Sequence, residues 1–284
     1  MSARSNEDRL GAPEVVPSGP DSSAPAPLKF ITPTEFVELP SEGLYYPPGH
    51  SLHNQKVVEI KHMTTKEEDI LTSAALLKSG LAIERMLESI IVNKNIKTSD
   101  MLLGDKNALI IAARAHGYGA TFETAVDCPS CGANQNYTFD LSSLEIKKPS
   151  PEDLKEKEVT KTENNTFLIP LPESDYNIEV RLLNGHDEKK LNDAAEHKRK
   201  RNLPDTAVTD FLRAIIVSVN NISDANSLNG FINTLPAIYG RYVRKTYDIL
   251  VPVLDLEHPF VCAECNFEGT SEVPLTSDFF WPNA

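Results

Sequence analysis

Regular alternation of apolar and polar positions begins at Lys56. "KVVEIKHM" repeats with a period of two and predicts a strand. In "TTKEEDILTSAALLKSG", which follows, Thr65 and Glu68 stand at capping-box spacing, and Gly80 sits where a glycine just past a helix C-terminus belongs. A helix restarts in "LAIERMLESIIV", with Ile83, Met86, Leu87, Ile90 and Ile91 on one face. A third helix fits "DKNALIIAARAHGYG", stopped by Gly117 and Gly119. "ATFETAV" and "NQNYTFDL" then alternate as strands on either side of a short turn, and Tyr137, Phe139 and Leu141 share a face.

The stretch between Leu144 and Asn165 is charged, proline-punctuated and poor in apolar residues, so it reads as a linker or a solvated excursion. After it, "TFLIPLPESDYNIEVRLL" predicts strand, turn and strand, and Pro170 and Pro172 place the first of these at a sheet edge. A polar helix, "DEKKLNDAAEHKRKRN", precedes Pro204. "DTAVTDFLRAIIVSV", "SDANSLNGFINTL" and "PAIYGRYVRKTYDILV" follow, the last with Pro236 at the first helical position, and the chain closes through "HPFVCAECNFEGTSEVPL". Ahead of the patterned region, the first 28 residues are rich in Pro, Ser, Ala and Gly and show no period, as a disordered tail would. "FITPTEFVELPSEGLYYPPGHSL" reads as a turn-rich arm, with Tyr45 and Tyr46 as anchors on its own body or on a partner.

The second half can be laid on the first, and the order of the matched features favours a repeat over coincidence among apolar residues. "VEIKHMTTKEEDIL", starting at Val58, aligns without a gap on "IEVRLLNGHDEKKL", starting at Ile178, so that Glu67 and Glu68 fall on Asp187 and Glu188. "LESIIV" at Leu87 matches "LRAIIV" at Leu212, and each copy then runs through helical segments into a C-x-x-C pair. This order of features predicts an internal duplication of about 120 residues per copy. The expected architecture is α+β: a tail over residues 1–35, a first half with the arm over 36–148, a charged linker over 149–165, and a second half over 166–284.

The repeat changes the meaning of the cysteines. All four fall into the two pairs, Cys128 with Cys131 and Cys262 with Cys265. Each pair alone supplies half of a structural metal's ligands, but two halves packed about a pseudo-two-fold axis would bring four thiolates together in a zinc-ribbon-like site. The pairs lie roughly 130 residues apart, far beyond the 15–20 of a local ribbon, so one structural Zn2+ per chain would join distant segments. Redox chemistry is the weaker use, because each pair sits in a turn between strands and does not open a helix in a βαβ unit. Cysteines that bind no metal are the remaining alternative.

Net charge and motifs narrow the function classes. A formal charge of −13 argues against nucleic acid and anionic membranes as partners, since binding either would need a local basic patch. No apolar leader or membrane-length run is present, which points to a cytoplasmic protein. No phosphate-binding loop, dinucleotide fingerprint, zinc-protease helix or nucleophile elbow occurs, so no catalytic or cofactor-binding residue and no small-molecule substrate is assigned. His50 and His53 read as packing or surface residues, and His186 as part of a helix start. "HKRKR" from His197 could bind a phosphate backbone or an acidic partner surface, but a basic C-terminal turn on a solvated helix explains it as simply. Phe279, Phe280 and Trp281 are either partner anchors or residues folded onto their own core.

The segments "LPSEGLYYPPGHSL", "EEDILTSAALLKSG", "GYGATFETAVDCPSCG" and "FVCAECNFEGTSEVPLTSDFFWP", in this order, resemble the T4-type bacteriophage baseplate hub family of hub subunits and hub-assembly chaperones, over residues 36–284. The resemblance implies a non-enzymatic tail protein that helps to build the baseplate hub in the cytoplasm of an infected bacterium. Its partners would be other hub or tail proteins, and it would either stay in the virion or leave after assembly. The resemblance supplies no catalytic residues and does not by itself require zinc. The alternative reading is a zinc-ribbon module of transcription or translation machinery, which would bind nucleic acid in a salt-dependent way.

Overall fold

Strands β1 (Thr34–Glu38) and β2 (Val57–Lys61) open the fold as an antiparallel pair, with Val37 opposite Val58. The computed structural model describes residues 31–275 together with Phe279 and Phe280. The expected tail therefore lies outside the described residues up to residue 30, while Thr34 and Glu35, its last part, already belong to β1. Between β1 and β2 the arm turns back onto its own chain. Tyr46 and Leu52 are buried, and the Tyr46 hydroxyl donates to Asp105 Oδ2 at 2.7 Å and accepts from the Leu102 N–H at 2.9 Å.

Helix α1 (Thr65–Thr72) starts one residue earlier than the spacing of Thr65 and Glu68 predicts. Thr64 is the N-cap, and its N–H donates to Glu67 Oε2 at 2.9 Å. The run breaks at Ser73, continues as α2 (Ala74–Lys78) and ends at Gly80, whose φ of +68° only glycine adopts freely. Helix α3 (Ala82–Ile90) buries Met86, Leu87 and Ile90 of the expected stripe together with Ala82, while Ile83 is only partly buried and Ile91 is buried just past the helix end. Helix α4 (Leu103–Tyr118) packs so closely on the later chain that a Cβ on Gly104 would lie 2.0 Å from the Pro252 carbonyl oxygen. The hairpin of β3 (Thr121–Asp127) and β4 (Asn134–Asp140) follows.

The expected linker is structured. It carries β5 (Ile146–Lys147), α5 (Pro151–Glu156) and β6 (Thr160–Lys161). The Ser150 side chain accepts from the Asp153 N–H at 3.0 Å and Pro151 occupies the first turn, a helix start that the charged composition masks. Strand β6 pairs with β7 (Phe167–Pro170), which pairs with β8 (Asn177–Val180). Strand β7 is thus interior, not the edge that Pro170 and Pro172 suggest: Pro170 is the last residue of the strand, so the ladder loses no central hydrogen bond.

Helix α6 (Gly185–Lys200) is polar nearly throughout and buries only Gly185 and Asp187. Helix α7 (Ala207–Ile215) passes directly into β9 (Ile216–Val219), which completes an antiparallel sheet of order β6-β7-β8-β9. After α8 (Ala225–Thr234), α9 (Ala237–Leu250) begins with Pro236 as its N-cap, one position outside the expected first helical residue. Strand β10 (Val253–Leu254) returns to pair with β5, and β11 (Glu257–Val261) and β12 (Glu268–Glu272) form the last hairpin.

The described residues from Thr32 onward belong to one compact unit, with two apolar cores. One core gathers β1, β2, α3 and α4 and also takes in Val273, Phe279 and Phe280; the other gathers β7, β8, α7 and α9. Both Phe279 and Phe280 are 1% exposed, and the Phe279 ring meets Phe122 edge-on at 5.0 Å. The buried guanidinium of Arg114 donates through Nε to the Phe279 carbonyl at 2.8 Å. These two aromatics therefore fold onto their own core, whereas Trp281 lies outside the described residues.

Candidate metal centre

The turns of two hairpins build the site. In the first, the Cys128 N–H donates to the Ala133 carbonyl at 2.8 Å and the Gly132 N–H donates to the Cys128 carbonyl at 2.8 Å. In the second, the Cys262 N–H donates to the Phe267 carbonyl at 2.9 Å and the Asn266 N–H to the Cys262 carbonyl at 3.0 Å. The residue after the second cysteine turns left-handed in both cases, Gly132 with φ +73° and Asn266 with φ +56°. Glycine and asparagine are the residues that tolerate this conformation, so the C-x-x-C-Gly and C-x-x-C-Asn sequences encode the same turn.

Side chains hold the hairpins together. Gln135 on β4 donates through Nε2 to the Val261 carbonyl at 3.1 Å and accepts the Ala263 N–H through Oε1 at 2.9 Å, so one amide clamps the backbone of the second turn from both sides. Tyr137 donates its hydroxyl to the Pro259 carbonyl, and its ring packs on Phe260 at 5.8 Å. Cys128, Phe260 and Cys262 form a small buried cluster flanked by Val126, Ala133 and Phe267.

The four sulfurs meet in this frame. Cys128 Sγ lies 3.7 Å from Cys265 Sγ, Cys131 Sγ lies 3.7 Å from Cys262 Sγ, and all four are within 4.8 Å of one another. A tetrahedral zinc with Zn–S bonds of about 2.3 Å has sulfur–sulfur edges of about 3.8 Å, so the residues present fit such an ion. Cys128 and Cys262 are buried and Cys131 and Cys265 exposed, which puts one wall of the cluster in the protein and one toward solvent.

Electrostatics separates the thiols. Burial raises Cys128, but the N–H groups of Cys131 and Ser130 and the neighbouring thiols outweigh it and bring it down to about 7. For Cys131, the Ala133 N–H favours the thiolate, yet the crowding of the other thiols, led by Cys265, pushes it up to about 12. Crowded thiols oppose one another's ionisation until a cation takes up their charge. Such a cluster has the chemistry to hold a metal ion, and zinc is compatible with it.

The other residues singled out from the sequence lie apart from this cluster. His50 stacks on Tyr46 with ring centroids 4.5 Å apart and accepts the Leu52 N–H, which makes it a packing residue. His186 contacts Asp100 at 2.8 Å at the start of α6. Within the basic run, Lys198 is paired with Asp210 and Lys200 with Glu196. A further group escaped the sequence reading: Glu35, His62 and His116 bring their ligand atoms within 4.8 Å of one another. The available signal was the inward phase that Glu35 takes in β1 and that His62 continues just past the end of β2.

With this geometry the molecule is a mixed helix-and-strand protein whose distant hairpins converge in a four-thiol cluster able to hold a metal ion. The chain belongs to the T4 bacteriophage base plate protein family, whose model matches residues 46–281. It is thereby a structural protein of the phage tail, with other tail or baseplate proteins as the contacts that this membership implies. Neither the curated proteins nor the solved structures gave a match. No helix among the described residues is long and apolar enough to cross a membrane.

Proposed function

We propose that this protein is a non-enzymatic factor in the building or structure of the baseplate hub. It would act in the cytoplasm of the infected host through protein contacts, with a body locked by one structural zinc on Cys128, Cys131, Cys262 and Cys265. The observation that carries the zinc assignment is the convergence of four Sγ atoms from hairpins 131 residues apart at tetrahedral spacing. The metal fixes the two hairpins, and all four ligands are protein thiolates, so no coordination position is left for substrate. Membership of the baseplate family supports the tail role, and the hub is the more specific part of the proposal.

The two halves, 36–148 and 166–284 with 149–165 between them, are on this reading copies of one duplicated unit. Supporting it, α3 and α7 are each nine residues long, and each ends by handing the chain to a segment that pairs with the preceding strand. Thr64 and Glu67 recur as Asn184 and Asp187 at the start of the helix after the strand pair. An experimental structure in which no single rotation relates the two hairpins would refute the duplication.

Metal analysis of the purified protein tests the clamp. One zinc per chain, lost when either pair is changed to serine, is expected; two zincs, or retention after loss of one pair, would defeat a shared site. The hub assignment is tested in the phage. Cells infected with a mutant lacking this protein should accumulate incomplete baseplates by electron microscopy, and normal tails in that mutant would overturn the role. Tight binding in an electrophoretic shift at low salt would favour a nucleic-acid module instead.

A further inference from the structure

The hairpin of β1 and β2 carries polar chemistry where its counterpart carries core. Val37 lies opposite Val58 and Glu35 opposite Ile60, and residues in such pairs point to the same side, so Glu35 shares the face of the buried Val37, Val58 and Ile60. His62 takes the next position in this phase. In the hairpin of β7 and β8, the same register sets Ile169 opposite Ile178 and Phe167 opposite Val180. There the positions of Glu35 and His62 are filled by Phe167 and Leu182, both buried.

The third member comes from the last turn of α4. His116 Nε2 lies 2.5 Å from Glu35 Oε2, and His62 Nε2 lies 3.8 Å from the same oxygen. The imidazole rings stack with centroids 5.2 Å apart. Their backbones are fixed: the His62 N–H donates to the Pro33 carbonyl at 3.0 Å, and the Met63 side chain fills the space where a Cβ on Gly117 would project. Each of the three side chains is about one third exposed, at 38% for Glu35, 33% for His62 and 32% for His116.

An ion pair of Glu35 with His116 explains one histidine and leaves the second unexplained. Two imidazolium rings stacked on one carboxylate would repel, whereas a divalent ion takes two neutral imidazoles and the carboxylate together. We propose that Glu35, His62 and His116 form a second cation site, open to solvent, for a borderline first-row divalent ion of the zinc class. Imidazole donors select against Mg2+ and Ca2+, and the C-terminal end of α4 adds a favourable field for a cation. Tetrahedral binding requires donor separations of about 3.4 Å, so the Glu35 carboxylate rotates to lengthen its contact with His116 as the ion enters. Three protein ligands leave the fourth position to water.

The experiment is a titration of the full-length protein with Zn2+ by calorimetry, after its cysteine-bound metal has been measured. One further equivalent is expected, weakened at least about tenfold by Glu35→Gln and by His116→Ala. Co2+ at this site should give weak visible bands without the intense sulfur charge-transfer absorption of a thiolate site, which separates this result from any outcome at the cysteines. His62→Gln, checked for folding by circular dichroism, is the second variant should His116→Ala fail to fold. The absence of a further equivalent, or one that survives both Glu35→Gln and His62→Gln, would overturn the proposal.

Discussion

At the start of α1 the Glu67 carboxylate accepts from the Thr64 N–H and from the Ser89 hydroxyl, at 2.9 and 2.6 Å. At the start of α6 the corresponding Asp187 accepts from the Asn184 N–H and is gripped by Arg181 through two bonds of 2.7 and 2.8 Å. Both acids are buried and both cap a helix just after a strand pair, but one is satisfied by neutral hydroxyls and the other by a guanidinium. The basic residue at the close of each strand pair explains the difference. Arg181, just after β8, reaches Asp187, whereas Lys61, the last residue of β2, is exposed and leaves Glu67 to Ser89 on α3. Both helix starts place a carboxylate at the third helical position, and the neighbouring side chains decide how it is neutralised. In the same way the hairpin of β1 and β2 carries Glu35, with His62 just beyond it, whereas the hairpin of β7 and β8 packs Phe167, with Leu182 just beyond it.

The comparison can be broken or sharpened by substitution. The largest effect belongs to the cluster that the two cysteine hairpins build together: on the proposed zinc site, changing Cys128 and Cys131 together to serine should take bound zinc from one per chain to none. It should also lower the thermal midpoint more than any single core truncation, and the Cys262 and Cys265 double variant should match it. Next comes the contribution that the last residues make to the first core only. Phe279→Ala should cost about 3–5 kcal/mol in denaturant unfolding, because the ring is wholly buried against Phe122 and the cavity cannot close around the Arg114 contact.

The two capping acids should then separate. Asp187→Asn should cost about 1.5–3 kcal/mol, as expected for a hydrogen bond to a charged group, and Glu67→Gln about 0.5–1.5 kcal/mol, as for neutral donors. Burial acts to raise Asp187, yet the Arg181 guanidinium and the Asn184 N–H outweigh it and hold the carboxyl below its usual range. Its stabilisation is therefore complete above the unfolded value of about 3.9 and disappears as pH falls through the lower folded value. Asp187→Asn should remove this part of the acid limb when unfolding is followed between about pH 2 and 5. The smallest effect tests the shared turn. At Gly132 a Cβ would meet open space, so only its φ matters: Gly132→Val should cost about 1–2 kcal/mol, while Gly132→Asn, the residue of the second turn, should be tolerated.

Legibility in the sequence followed the range of the interaction. The stripe of α3, the alternation of β4 and the glycine that ends α2 are short-range patterns, and they appear where the sequence predicts them. The start of α1 shifted by one residue because Thr64 and Thr65 are chemically equivalent caps, and only the Glu67 contact distinguishes them. Strand β6 and helix α5 were hidden because two-residue pairing and a six-residue helix leave no period to read. The four cysteines were legible as a set from their spacing, but the Gln135 clamp has no local signature, and the strand phase of Glu35 and His62 does not reveal that His116 joins them.

The sequence by itself determined the strands and helices that carry a readable period, the turns that hold the cysteine pairs, and the requirement that both pairs have partners, since each of these depends on neighbours a few residues away. Only the tertiary structure decided that the arm and Phe279 and Phe280 belong to their own core, that β7 lies inside its sheet, and that the four thiols meet. Those outcomes depend on burial and on contacts between residues far apart in the chain, where the free energy of packing selects among arrangements that local patterns leave equally open.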